Sequence, residues 1–145
     1  MISTSSAAKH LCEISGWQLS NLQLQKMLYM ADMNFVGKYG ERLVDENFEA
    51  WDYGPVLPSL YHKVKGFGAK AVPNVFWGSA PVKGREAKIL QTAWDKLQTM
   101  TPGELVENTH WVDGAWAKRY VPGARGITIS TKDMADEYRN RISGR

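Results

Sequence analysis

Apolar residues recur at helical spacing over several stretches of the chain, and each stretch is opened or closed by recognisable punctuation. Between residues 5 and 15, Ala8, Leu11, Cys12 and Ile14 supply one apolar face and Gly16 ends it, which predicts a first helix. Ser20 followed by Gln23 is the pairing of a capping box. It opens the best-marked segment, NLQLQKMLYMADMNFVGKYG. There Leu24, Met27, Leu28, Ala31 and Phe35 form a stripe that Met30, Met33 and Val36 widen past a single face. An arc of that width predicts a central helix packed on more than one side, with Gly37 and Gly40 bracketing its end.

The acidic connection ERLVDENFEAWDYGP follows, where Phe48 and Ala50 alternate with Glu49 and Trp51 and predict a short strand. Gly54-Pro55 breaks the chain, and Pro58 starts a short helix in VLPSLYHKVKGFG that Gly66 closes. In this reading Trp51 ends the strand, Gly54-Pro55 turns the chain sharply, and Tyr53 buries its ring between them. Residues 69–82 carry Pro73, Gly78 and Pro81, which predicts a loop carrying Phe76 and Trp77 as exposed or lid-like aromatics. REAKILQTAWDKLQTM returns to helix, with Ala87, Leu90, Ala93, Trp94, Leu97 and Met100 on one stripe. Thr101-Pro102-Gly103-Glu104 is a second capping box and starts a helix running through His110. ITIS, residues 127–130, reads as a short strand, and Thr131 caps a last helix, KDMADEYRNRI. The expected fold is mainly α: a compact helical domain with a small two- or three-stranded β element, residues 1–145 forming a single domain without repeats.

Composition narrows the setting. With 145 residues, 43% hydrophobic and 23% charged, the chain has the length and balance of one globular domain. No basic stretch followed by an apolar run marks a signal peptide, and no apolar run reaches the ~18 residues of a membrane span. The single cysteine, Cys12, cannot make an internal disulfide, so a cytoplasmic protein is expected. The net charge of +3 is uneven. From residue 118 onward Lys118, Arg119, Arg125, Lys132, Arg139, Arg141 and Arg145 face only Asp133, Asp136 and Glu137, leaving +4 there and −1 in the rest. A basic end of this kind suits an acidic protein or nucleic acid, or is a solvated helix face.

Candidate chemistry is sparse. His10, His62, His110 and Cys12 include no pair at i, i+4 spacing and no CxxC, so no metal site is expected. Cys12 falls in an apolar stripe, where a buried inert thiol is the default. GFGAKA lacks the GxGxxG spacing of a phosphate loop. His110 near a helix end is a candidate base, but more often such a histidine holds a turn. No catalytic residue, cofactor or metal is therefore assigned. Six tryptophans are many for this length. Trp51, Trp94 and Trp116 are expected in the core, and Trp17, Trp77 and Trp111 are freer to face a partner.

LQKMLYMAD, FEAWDYGPVLPSLYHKVKGFG, ELVENTHW with AWAKRY, and ISTKDMADEYRNR occur in that order, and together they resemble the Panacea domain. This is the antitoxin domain of SocA-like proteins and of many prophage-associated proteins. The resemblance spans roughly residues 22–141. Its most specific pieces are Leu24, Lys26, Leu28 and Tyr29 in the central helix, Trp51, Tyr53, Gly54 and Pro55 after it, and His110 followed by Trp116. Met27 inside the first motif, Ala115 where the family commonly has proline, and residues 69–82 depart from the pattern. The resemblance implies a helical domain with a small sheet. It also implies an antitoxin that neutralises a cognate toxin encoded nearby, some members acting as adaptors to a ClpX-type protease.

Partner contact is expected at Phe76, Trp77, Trp111, Arg139 and Arg141. A nucleic-acid-binding regulator using the basic end is the alternative, weakened by the lack of a recognition-helix motif. An enzyme using His110 with a nearby carboxylate is a further reading.

Overall fold

The computed structural model describes residues 1–143; Arg145, counted above in the basic end, lies outside them. The described residues form seven α-helices and one two-stranded antiparallel sheet: α1 (Thr4–Ile14), α2 (Asn21–Tyr39), β1 (Glu49–Trp51), β2 (Gly54–Val56), α3 (Pro58–Val64), α4 (Gly84–Leu97), α5 (Pro102–Thr109), α6 (Ala115–Arg119) and α7 (Thr131–Ile142). A 3-10 turn, Lys65–Phe67, extends α3. The chain is mainly α with a small β element, as its periodicity predicts.

The central helix is α2. Ser20 and Gln23 exchange the two hydrogen bonds of the capping box, and Gly40 closes the helix in the left-handed region at φ 74°. Leu24, Met27, Leu28, Met30, Ala31, Met33, Phe35 and Val36 are all buried. Helices α1, α3, α4, α5 and α7 and strand β2 pack around it, so its wide apolar arc is covered on several sides. Gly37 does not end the helix. A Cβ there would lie 2.0 Å from the Tyr138 ring, so the missing side chain lets α7 cross closely.

Several local expectations shift. The turn falls at Asp52-Tyr53, because Gly54 pairs with Trp51 and Pro55 with Ala50 in β2. Proline fits here because a short edge strand needs fewer backbone donors. The ITIS segment contributes a bridge at Thr128 to Glu49, with Ala50 N donating to Ile127 O (2.9 Å) and Ile129 N to Phe48 O (2.9 Å). Ser130, not Thr131, caps α7, its hydroxyl accepting from Asp133 N. The N-terminal residues add a contact of their own: Ile2 bridges Val44, with Ile2 N donating to Leu43 O at 2.8 Å.

Two buried carboxylates, Asp32 and Glu137, and the partly buried Glu46 tie the periphery to this core. Asp32 accepts from Arg42 Nε (2.8 Å), Arg42 Nη2 (2.6 Å) and Leu43 N (2.7 Å). Glu137 accepts from Tyr29 Oη (2.7 Å), Ala115 N (2.9 Å) and Arg141 Nε (2.8 Å). Glu46 accepts from the Thr4 hydroxyl (2.8 Å) and from Ser59 N (2.9 Å) and Oγ (2.6 Å), joining the starts of α1 and α3. No helix among the described residues is long and apolar enough to cross a membrane.

Candidate partner-binding site

The motif residues converge where the N-terminal half of α2 meets the β1–β2 hairpin. Lys26, in the second turn of α2, is 1% exposed, and its Nζ donates to Pro55 O at 3.3 Å. Burial without a carboxylate partner pulls its pKa down to about 7. Gly54 makes the close approach possible: a Cβ there would sit 2.8 Å from Lys26 Nζ and 3.1 Å from Thr109 Oγ1, and its φ is +111°. The glycine is required by space and by conformation together.

His110 is the C-cap of α5. Its ring stacks on Trp116 at 3.7 Å and 6°, and Trp116 stacks on Tyr120 at 4.4 Å and 18°. Trp116 Nε1 donates to Trp51 O (2.7 Å), and Tyr120 Oη donates to Asp52 Oδ1 (2.6 Å). The stack therefore anchors the leading side of the hairpin turn, at Trp51 and Asp52. Burial, and then the Lys26 ammonium, lower the His110 pKa, while the Tyr53 backbone opposes that shift. His110 Nε2 is buried without a hydrogen-bond partner among the described residues.

A surface cavity of about 540 Å³ opens beside this cluster, with Leu22, Lys26, Trp51, Tyr53, Tyr61 and Arg125 in its lining. Trp51 meets Tyr61 edge-on at 4.9 Å, Arg125 lies 4.5 Å over the Trp51 ring, and Lys65 lies 6.0 Å over the Tyr61 ring. Asp52, also in the lining, is held below the usual carboxylate range by the Tyr120 hydroxyl and the Gly123 amide. Among the described residues no three His, Cys, Asp or Glu side chains gather as a metal site would require.

The other motif residues divide by burial. Leu24, Leu28 and Tyr29 are buried in α2, and Pro55 is buried in β2. Tyr53 stands at the hairpin tip 73% exposed, against the expectation that its ring buries, because a two-residue turn leaves nothing to cover it. Trp51 and Trp94 are half-buried and Trp116 is buried, so only the last is core in the full sense.

The residues expected at a partner surface do not form one patch. Phe76 is 0% exposed while Trp77 is 79% exposed: the loop folds Phe76 inward and leaves its neighbour out. Trp111 is half-buried under the Arg141 guanidinium, 4.6 Å from its ring. Arg141 is itself engaged, donating through Nε to Glu137 (2.8 Å) and through Nη2 to Asn108 O (2.6 Å). Arg139 is exposed and pairs with Asp136. Trp17 packs partly buried against the core. No local pattern announces the hairpin cavity, although residues of AWDYGPV and Lys26, which line it, belong to the motif segments.

The fold and this cluster belong to a defined class. A family model described as "Antitoxin SocA-like, Panacea domain" matches residues 24–117, from α2 through most of α6, and the chain belongs to that family of antitoxins. Among characterised proteins it is 45% identical over 136 residues to Antitoxin SocA of Caulobacter vibrioides (strain NA1000 / CB15N), covering 83% of this chain and 72% of the relative. No solved structure matches.

Proposed function

We propose that the protein neutralises a cognate toxin by binding it directly and covering a surface the toxin needs. The observation that supports this most is the family match over residues 24–117, which takes in the hairpin, Lys26, His110 and Trp116. Cover of this kind requires an interface of about 800 Å² on each partner and no chemistry from the antitoxin. The half-buried Trp51 and the exposed Tyr53 supply aromatic area suited to such an interface.

The basic end supports nucleic-acid binding poorly. Lys118 and Arg119 pair with Asp133, Lys132 and Arg139 with Asp136, and Arg141 with Glu137. The net surplus remains, but these five cations already share three carboxylates that a phosphate backbone would have to displace.

Co-expression with the protein encoded beside this one tests the reading. The neighbour should arrest growth alone, be harmless in the pair, and co-purify with this chain. Rescue that persists in cells lacking a ClpX-type protease marks cover as the mechanism. Rescue lost in those cells marks delivery for degradation. A neighbour that is harmless, or that does not bind, ends the toxin pairing.

A further inference from the structure

Trp77 is 79% exposed, while the five other tryptophans are buried or half-buried. Its turn is built to hold it there. Ser79 N donates to Phe76 O (3.3 Å) and Gly78 takes φ +78°, the left-handed third residue that a type II β-turn requires. Trp77 is the second residue of that turn, at its tip. Both flanks are pinned to the core: Val72, Phe76 and Val82 are buried, Val72 N donates to Leu19 O (2.8 Å), and Phe76 N donates to Asn74 Oδ1 (3.2 Å). A Cβ on Gly78 would meet nothing within 4 Å, so the described chain leaves that side of the tip open. Charge around the turn is one-sided. No Asp or Glu occurs between residues 53 and 85. Lys63 Nζ lies 5.9 Å from the Phe76 ring centre, and both Lys63 and Lys70 are exposed without a carboxylate partner among the described residues. The acids that border the loop do so away from its tip: Glu13 shares a shallow cleft with residues 71–74, and Glu86 Oε1 lies 3.8 Å from where a Gly84 Cβ would stand.

We propose that Trp77 is an anchor that enters an apolar pocket on the toxin, with Lys63 meeting acidic side chains at that pocket's edge. The inference rests on the antitoxin reading and names a side chain and a partner chemistry that reading leaves open. A tryptophan held in one backbone conformation before binding loses little freedom on docking, and buried interface tryptophans are among the side chains that carry most of the binding energy. Insertion into a pocket needs a single ring, which suits an aromatic that stands alone on its turn. Helix α3 joins this turn to the hairpin surface, since Tyr61 lines the hairpin cavity and Lys63 reaches Phe76. A nucleic acid fits less well, because Lys63 and Lys70 would neutralise one phosphate each, a weak hold that salt readily removes.

The test uses the complex of the full chain with its encoded neighbour. Trp77→Ala alters an exposed ring and should leave the melting temperature near that of the parent while weakening the complex at least about thirtyfold. Trp77→Phe keeps a flat apolar ring and should hold the loss to about tenfold or less. Val112→Ser, at an exposed apolar residue between α5 and α6, should stay within about threefold. Lys63→Glu should slow association, an effect that shrinks as salt rises. The parent's tryptophan emission should move to shorter wavelength on binding, a shift that Trp77→Phe reduces. Parent-like affinity in Trp77→Ala, with the emission shift unchanged in Trp77→Phe, overturns the proposal and leaves the antitoxin reading intact. Loss of single-stranded oligonucleotide binding in Trp77→Ala with toxin binding retained overturns it in favour of base stacking. Failure of the parent chain to bind its neighbour removes both readings.

Discussion

The two halves of α2 bury charge in opposite ways. In the C-terminal half, Asp32 is 0% exposed and meets two guanidinium nitrogens of Arg42 and the Leu43 amide, all within 2.8 Å. Arg42 spends its remaining donors on Glu46 O and Asn47 Oδ1, so each charge has a matching partner. In the N-terminal half, Lys26 is as deeply buried but has one hydrogen bond, at 3.3 Å, to Pro55 O. Beside it His110 Nε2 has none among the described residues. A satisfied ion pair fixes the 42–47 connection against the core. An underpaired amine next to an open cavity gives up stability, and such departures from local consistency gather at functional sites.

That contrast is open to mutation. The largest effect falls at the satisfied end: Asp32→Ala strands a buried guanidinium and should cost about 3–5 kcal/mol in denaturant unfolding. Gly54→Ala comes next, at about 2–4 kcal/mol, since it forces a side chain into a positive φ and against Lys26 Nζ. Trp51→Ala should cost about 2 kcal/mol, less than a fully buried tryptophan, because the ring is half-exposed on the cavity wall. A loss of 4 kcal/mol or more there would show that the ring belongs to the core after all.

The smallest effect at pH 7 concerns Lys26, and its signature is pH dependence. Its folded pKa of about 7 lies below the ~10.4 of a solvated lysine. Between those values the unfolded chain binds the extra proton, so this group makes stability rise with pH from about 7 to ~10.4, by up to about 1.4 kcal/mol per unit. Lys26→Met should flatten that slope and leave stability at pH 7 within about 1 kcal/mol of the parent or above it. A slope that survives the substitution would assign it to another group.

What was legible in the chain were features governed by neighbours. The Ser20–Gln23 and Thr101–Glu104 capping boxes form as their spacing demands, and the wide arc of α2 identifies the central helix. Illegible were pairings between distant segments. Tyr29 and Glu137 meet across 108 residues, and no local pattern separates the buried Glu137 from the less buried Asp136 beside it on α7. Phe76 and Trp77 show the same limit. Adjacent aromatics in a loop look alike until tertiary packing takes one inward and leaves the other out. Gly54-Pro55 carries the composition of a turn, whereas its glycine serves a close approach to Lys26 and its proline sits on a short edge strand. The motif residues of the site were visible as types; the cavity they enclose with Arg125 depends on a turn some 70 residues away.

The distinction between a structural end and a binding end of α2 is tested most directly by Lys26→Met, measured for both melting temperature and rescue of growth against the encoded neighbour. If the hairpin end serves the partner, the variant melts at or above the parent temperature at pH 7 and rescues poorly. A variant that melts well below the parent, and rescues in proportion to its folded fraction, would make Lys26 a structural residue like Asp32 and contradict the assignment.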